Sequence, residues 1–296
     1  MPMEKDLIIG AFTNYTDYDV LKPWVQSIRD TDFEGDVVLV AIEADNNLVK
    51  KLESEKVKVI RAHNHQKMMV HMLRFLSIYD YLKNSKGKYR FVITTDVRDV
   101  IFQSNPIDFI KSKFYNIGLL ASSEAIKIKD EKWNRENIVK NFGQYFYNDV
   151  CEREVLNVGL IAGKAELVKD LCFSLFQMSS NRADWVADQA AYNMLLSFEP
   201  WKTKCAILKL SDAWALNAHV TNKPDQLEEF GPYLLEKRPY LNENGKVVNA
   251  DGKPFVIVHQ YDRVPEWMEY FSKKYGIKIT KDTNTGTSPK YFLYKS

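Results

Sequence analysis

Two carboxylates, Asp96 and Asp99, stand three residues apart at the end of an apolar, β-rich run, Tyr89-Arg90-Phe91-Val92-Ile93-Thr94-Thr95. A second apolar step follows in Val100-Ile101-Phe102, and Pro106 closes the segment. The carboxyl end of a buried strand is where open α/β sheets place their ligands. Two hard oxygen donors on a short turn suit Mg²⁺ or Mn²⁺, ions that also hold phosphate. The same pair equally fits a strand-end turn with solvated acids, because carboxylates are common at loop starts.

Other residues of suitable type lie far from this turn in the chain. His259 ends the apolar run Val256-Ile257-Val258, and it is either a satisfied strand-end histidine or a metal ligand. As a ligand it favours Mn²⁺, which takes imidazole more readily than Mg²⁺ does. Arg74 lies between Leu73 and Phe75 on a helical face shared with Lys67 and His71. A guanidinium in so apolar a stretch needs an acidic partner, because an unpaired buried charge is costly. The carboxylate turn or a diphosphate would serve. Leu156-Asn157-Val158-Gly159 reads as a strand, where glycine marks either a bulge or the close approach of a ligand. Asp188-Gln189 opens a helix, where a carboxylate complements the helix dipole whatever else it does. Thr13-Asn14-Tyr15 reads as a strand-to-helix turn. His63 and His65 have no partners at zinc-site spacing, so no zinc site is expected.

The elements that must position these groups alternate. Strands are expected at 7–12, 36–42, 57–60 and 91–95. Between them lie a helix carrying Leu21, Trp24, Val25 and Ile28 behind a cap at Asp19, a short helix capped by Asn46, and a long helix over 66–83. This order predicts a twisted, mostly parallel sheet with helices on both faces. Further strands are expected at 116–121, 155–162, 205–210 and 255–259, with residues 126–150 loop-like or helical. Helices are expected at 166–178, from Asp184 or Asp188 to 198, and at 267–275. Asn244-Gly245 and Asp251-Gly252 place one hairpin in a long C-terminal excursion. The polar stretch 280–296 is expected to be loosely held.

Composition narrows the function classes. The formal charge is +2, and Lys and Arg are spread along the chain rather than blocked, so nucleic acid is not an expected partner. The charged N-terminus and the strand-length apolar run behind it suggest neither a signal peptide nor a membrane span. Cys151, Cys172 and Cys205 are odd in number and irregularly spaced, which fits free thiols in a reducing, cytoplasmic setting. Neither the Gly-x-Gly-x-x-Gly nor the Gly-Lys-Ser/Thr phosphate loop is present. A bound phosphate would therefore be held by metal and side chains. The abundant tyrosines and tryptophans suit a sugar cleft, but they suit a core as well.

Taken together, Asp99-Val100-Ile101-Phe102, Asn157-x-Gly159, Asp188-Gln189 and the C-terminal His259 resemble the motifs of GT-A glycosyltransferases. The Asn-x-Gly and Asp-Gln pair is similar to the glycogenin-like families, and the lack of an anchor resembles soluble microbial or large-virus members. The usual carboxylate motif is Asp-x-Asp. Here it is Asp-x-x-Asp, so Asp96 stands one residue out of place. The resemblance implies a single catalytic domain over 1–296, with a nucleotide-binding half (1–106) and a donor-sugar and acceptor half (107–296). It implies transfer of a sugar from a UDP- or GDP-sugar to a glycan or glycoprotein acceptor, assisted by Mn²⁺ or Mg²⁺. Asp96, Asp99 and His259 would be the metal ligands. Thr13, Asn14 and Tyr15 would meet the nucleotide, with Arg74 and Asp96 beside it. Asn157, Gly159 and Gln189 would contact the donor sugar, Arg263 the diphosphate, and Asp188 would be catalytic. Two alternatives stay open. One is a non-catalytic glycan- or nucleotide-binding module with a degenerate metal motif. The other is a metal-dependent phosphatase, although the Asp-x-Asp-Gly-Thr signature is absent.

Overall fold

The computed structural model describes residues 4–64, 68–114, 116, 118–180, 182 and 186–278. The first third alternates as its apolar spacing requires: β1 (Lys5–Thr13), α1 (Lys22–Arg29), β2 (Asp36–Ile42), α2 (Asn46–Ser54), β3 (Lys58–Ala62), α3 (Val70–Asn84) and β4 (Tyr89–Thr95). The chain continues through β5 (Val100–Phe102), α4 (Pro106–Phe109), β6 (Leu119–Lys127), α5 (Lys132–Val150), β7 (Glu154–Lys164), α6 (Ala165–Ser179) and α7 (Ala187–Ser197). Then come β8 (Cys205–Leu208), β9 (Ala215–Asn217), α8 (Ala218–Asn222), α9 (Pro224–Phe230), the hairpin β10 (Tyr240–Leu241) and β11 (Val247–Val248), β12 (Ile257–His259) and α10 (Pro265–Tyr275).

Seven strands form one sheet in the order β3-β2-β1-β4-β7-β6-β8. β7 pairs antiparallel with both of its neighbours, and the other pairings are parallel. Helices cover both faces. Trp24, Val25 and Ile28 of α1 and Leu48, Val49 and Leu52 of α2 pack with Ile8, Leu39 and Ile93 on one face. Phe75 and Ile78 of α3, Leu171 and Leu175 of α6 and Tyr192 of α7 pack with Leu7, Ile9 and Val92 on the other. β4 is therefore buried on both faces, which explains its apolar centre, Phe91-Val92-Ile93. A second sheet, β5-β12-β9, leaves the C-terminal edge of the first and is backed by α10 through Trp267, Met268 and Phe271.

Several local expectations change. Asp45, not Asn46, caps α2 by accepting from the backbone N–H groups of Asn47 and Leu48. Asp17, not Asp19, caps the short turn that precedes α1. The long helix begins at Val70; its expected start at Gln66, Lys67 on it, and the alternative start of α7 at Asp184 lie outside the described residues. So does 280–296. Much of 126–150 is the helix α5, with a left-handed break at Gly143. β9 was not expected: three residues are too few for a periodic signal, and it exists through pairing with β12.

Candidate active site

The turn 96–99 leaves the end of β4 and folds back over β1. Gly10 makes this possible, because a Cβ there would lie 2.2 Å from Val97 Cγ1 and 3.1 Å from the Thr95 carbonyl oxygen. Trp24 Nε1 donates to Thr95 Oγ1 at 2.9 Å and ties α1 to the strand end. The Asp96 N–H donates to the Gly159 carbonyl at 2.7 Å, and the Gln260 N–H donates to the Asp99 carbonyl at 2.6 Å. The turn is thus fixed to β7 on one side and to the end of β12 on the other.

β12 brings His259 to the turn. In register, His259 faces Val100 of β5 on one side and Asn217 of β9 on the other. His259 Nδ1 donates to Asn217 Oδ1 at 3.0 Å. That bond orients the ring and leaves Nε2 facing the carboxylates, 3.5 Å from Asp96 Oδ2 and 3.6 Å from Asp99 Oδ1. Ligand atoms of Asp96, Asp99 and His259 all lie within 4.8 Å of one another. Gly159 of β7 forms the floor. A Cβ at Gly159 would stand 2.5 Å from His259 Cε1, 2.8 Å from Asn157 Oδ1 and 2.9 Å from Asp96 Oδ2. Two carboxylates, an oriented imidazole and a floor without a side chain fit a divalent cation. Burial would lower the His259 imidazole, but Asp99 and Asp96 outweigh it and hold the ring above its ordinary value.

Each carboxylate gives its other oxygen to an arginine. Arg74 of α3 donates to Asp96 Oδ1 and, at 3.0 Å, to Asp188 Oδ2. Arg74 thus bridges two acids, as its apolar setting requires. Asp188 is 1% exposed, and its Oδ1 has no hydrogen-bond partner among the described residues. Asp99 Oδ2 lies 3.5 Å from Arg263 Nη2 and 3.6 Å from Arg98 Nη2. Arg98 and Arg263 also reach Asp262, at 4.0 and 3.2 Å. Burial and the neighbouring Asp99 push the Asp262 carboxyl up to about 7 despite those two arginines. His71 lies close to Asp188 and Asp96, and burial keeps its imidazole below the ordinary value.

Thr13 ends β1, and Asn14 adopts a left-handed conformation beyond it, with φ 57°. Tyr15 stacks on Phe12 with an interplanar angle of 9° and feels the Arg98 charge. Asn157 is bound at both ends: its amide donates to Glu124 Oε1 at 2.7 Å, and its oxygen accepts from the Gly159 N–H at 2.8 Å. Gln189 was expected to face the donor sugar, but its amide is engaged with the fold. It accepts from the Val158 N–H and donates to the Leu156 carbonyl and Asn134 Oδ1. It aligns β7 beneath the site.

Asn217, Arg98, Asp262 and Glu124 escaped the sequence reading. Arg98 and Asp262 adjoin residues that were chosen, so a cation between two acids and an acid before Arg263 were the available signals. Asn217 carried no signal, since only the β9–β12 register gives it a role. Glu124 is an acid inside a run of apolar and small residues, and that was a signal.

No family model matches this sequence, and no curated protein matches it. Solved structures do. Mouse xyloside xylosyltransferase 1 in its apo form superposes over 87% of this chain and 98% of its own, with a TM-score of 0.54 and 14% identity. The apo structure of the bifunctional glycosyltransferase WbbM matches over 92% of this chain and 50% of its own, with a TM-score of 0.54 and 13% identity. At that identity the likeness concerns the fold. The chain carries the mixed α/β, mostly parallel architecture of the GT-A glycosyltransferases.

Proposed function

We propose that this protein is a metal-assisted glycosyltransferase, moving a sugar, most simply a hexose, from a nucleoside diphosphate to a hydroxyl of a glycan or glycoprotein. The observation that carries the reading is the Asp96–Asp99–His259 group, with His259 Nε2 turned by Asn217 toward two carboxylates. Its position at the carboxyl edge of a GT-A-like sheet supports it. A bound Mn²⁺ or Mg²⁺ would supply Lewis-acid stabilisation of the diphosphate leaving group. Arg263 and Arg98, both beside Asp99, would add positive charge where the leaving group develops negative charge.

In this reading 1–106 forms the nucleotide half, with Thr13, Asn14 and Tyr15 at the carboxyl edge of β1 for base and ribose. Residues 107–296 form the half for sugar and acceptor. Gly159 lets the donor sugar approach the backbone, and Asn157 borders the same floor. Asp188, held by Arg74 and with one oxygen unpartnered among the described residues, orients the sugar or takes up the acceptor proton. The three free cysteines suit a cytoplasmic setting. Among the described residues no helix is long and apolar enough to cross a membrane.

The test is release of free nucleoside diphosphate from a panel of UDP- and GDP-sugars, with Mn²⁺, with Mg²⁺ and with chelator. Metal-dependent release, with the sugar recovered on water or an acceptor, supports the proposal. Saturable binding of a nucleotide-sugar with no release under any condition would identify a non-catalytic module instead. Hydrolysis of simple phosphate esters without nucleotide-sugar turnover would identify a phosphatase.

A further inference from the structure

Glu124 is a buried acid that the roles above do not use. It lies on β6, is 5% exposed, and among the described residues makes one side-chain hydrogen bond, accepting from the Asn157 amide. No cation pairs with it among the described residues. A carboxyl so placed is expensive to bury, and structural acids of this kind are usually paired with a cation or bound by several donors.

The backbone around it is distorted. The β6–β7 register shifts on both sides of Ser123, and Ala125 adopts φ 55°, a left-handed conformation that costs a non-glycine residue energy. The Ala125 N–H leaves the ladder and donates to Ser123 Oγ at 2.8 Å. Bulges of this kind re-aim a side chain and are frequent beside active sites. Here the bulge directs Glu124 to Asn157. The Asn157 oxygen, His259 Cε1 and Asp96 Oδ2 crowd around one point above Gly159. Glu124 therefore stands one side chain away from the candidate metal group.

We propose that Glu124, held by Asn157, reads a hydroxyl of the transferred sugar and so sets which donor sugars the site accepts. The inference rests on the transferase reading and deepens it. A hydroxyl both donates and accepts, so it satisfies this carboxyl in either protonation state. A diphosphate oxygen would be repelled by the ionised form. Burial pushes the Glu124 carboxyl up to about 7 against the pull of the Asn157 hydrogen bond, so both forms are present near neutrality.

The experiment compares wild type with Glu124→Ala on UDP-glucose, UDP-galactose, GDP-mannose and the deoxy analogues of each, following nucleoside diphosphate release. The Mn²⁺-induced rise in melting temperature serves as a control for the fold and the metal group. E124A should retain that rise. Its preference, in kcat/KM, for the intact donor over the analogue lacking the read hydroxyl should fall about ten- to a hundredfold, while other analogues keep their wild-type ratios. An equal loss on every donor would mean that Glu124 only supports β7, and it would overturn the proposal. Should E124A fail to fold, Glu124→Asp carries the same test, because it keeps the acid and withdraws it by one methylene. An active wild type with unchanged ratios in the variant overturns this inference alone. A wild type that releases nothing from any donor overturns the transferase reading and this inference with it.

Discussion

Arg74→Met removes the cation between Asp96 and Asp188 while keeping an unbranched chain on α3. The Arg74 side chain is 12% exposed and that of Asp188 2%, so the pair between them is buried. Breaking a buried pair by deleting one partner costs about 3–5 kcal/mol, because the remaining charge is left uncompensated. The Asp96 side chain keeps 34% of its exposure, and water takes up part of the loss there. The low end, about 3 kcal/mol, is the expected value. For a chain of this size that corresponds to a fall in melting temperature of about 5 °C. The deficit also has a pH signature. Burial would raise the Asp96 carboxyl, but Arg74 and His259 outweigh it and hold it well below the usual carboxylate range. A depressed carboxylate contributes stability above its unfolded value, near 3.9, and loses that contribution as pH falls through the folded value. The gap between wild type and R74M should thus be full at neutral pH and narrow below about pH 4. Urea melts across that range, with turnover assays alongside, measure both. An R74M protein melting within about 1 °C of wild type and turning over normally would refute the bridging role.

Asp99→Asn should leave the fold intact but abolish the Mn²⁺-dependent rise in melting temperature and metal-dependent turnover, which thermal shift and nucleoside diphosphate release would register. Asp188→Asn keeps the shape and leaves Arg74 paired with Asp96, so stability should fall only about 1–2 kcal/mol. Turnover should drop by at least two orders of magnitude, about 2.7 kcal/mol in the barrier, as steady-state kinetics would show. At the opposite end of the sheet, burial would raise Asp36, but hydrogen bonds from Lys88, Lys5 and Tyr89 bring it down to about 2. Asp36→Asn should cost about 2 kcal/mol at neutral pH, and the cost should vanish in denaturation curves as pH falls from about 4 toward 2, with Mn²⁺ binding unchanged.

The legible parts of the site share one property: their chemistry is local in the chain. Asp96 and Asp99 follow a recognisable buried strand, and Arg74 betrays its need for an acid through its apolar neighbours. Gln189 has a second role that its type alone does not reveal. An amide next to Asp188 looks available for a ligand, but at one helical face it meets the backbone of β7 and satisfies three groups there. Helix starts moved for a similar reason. Asp17 and Asp45 outcompeted their neighbours because a cap depends on backbone angles that residue type alone does not set.

The alternation of strands and helices, the buried character of β4 and the placement of two carboxylates at its end follow from hydrophobic period and local residue chemistry alone. The assembled fold was needed to show that β7 runs against its neighbours and lays Gly159 under Asp96, and that three residues at 215–217 pair with β12. It alone set Asn217 against His259, gave Arg74 two acids instead of one, and turned Glu124 toward Asn157 through a bulge. Each of these depends on pairing between segments far apart in the chain. The register of such a pairing is fixed by packing on both faces of a sheet, and no single segment contains that information.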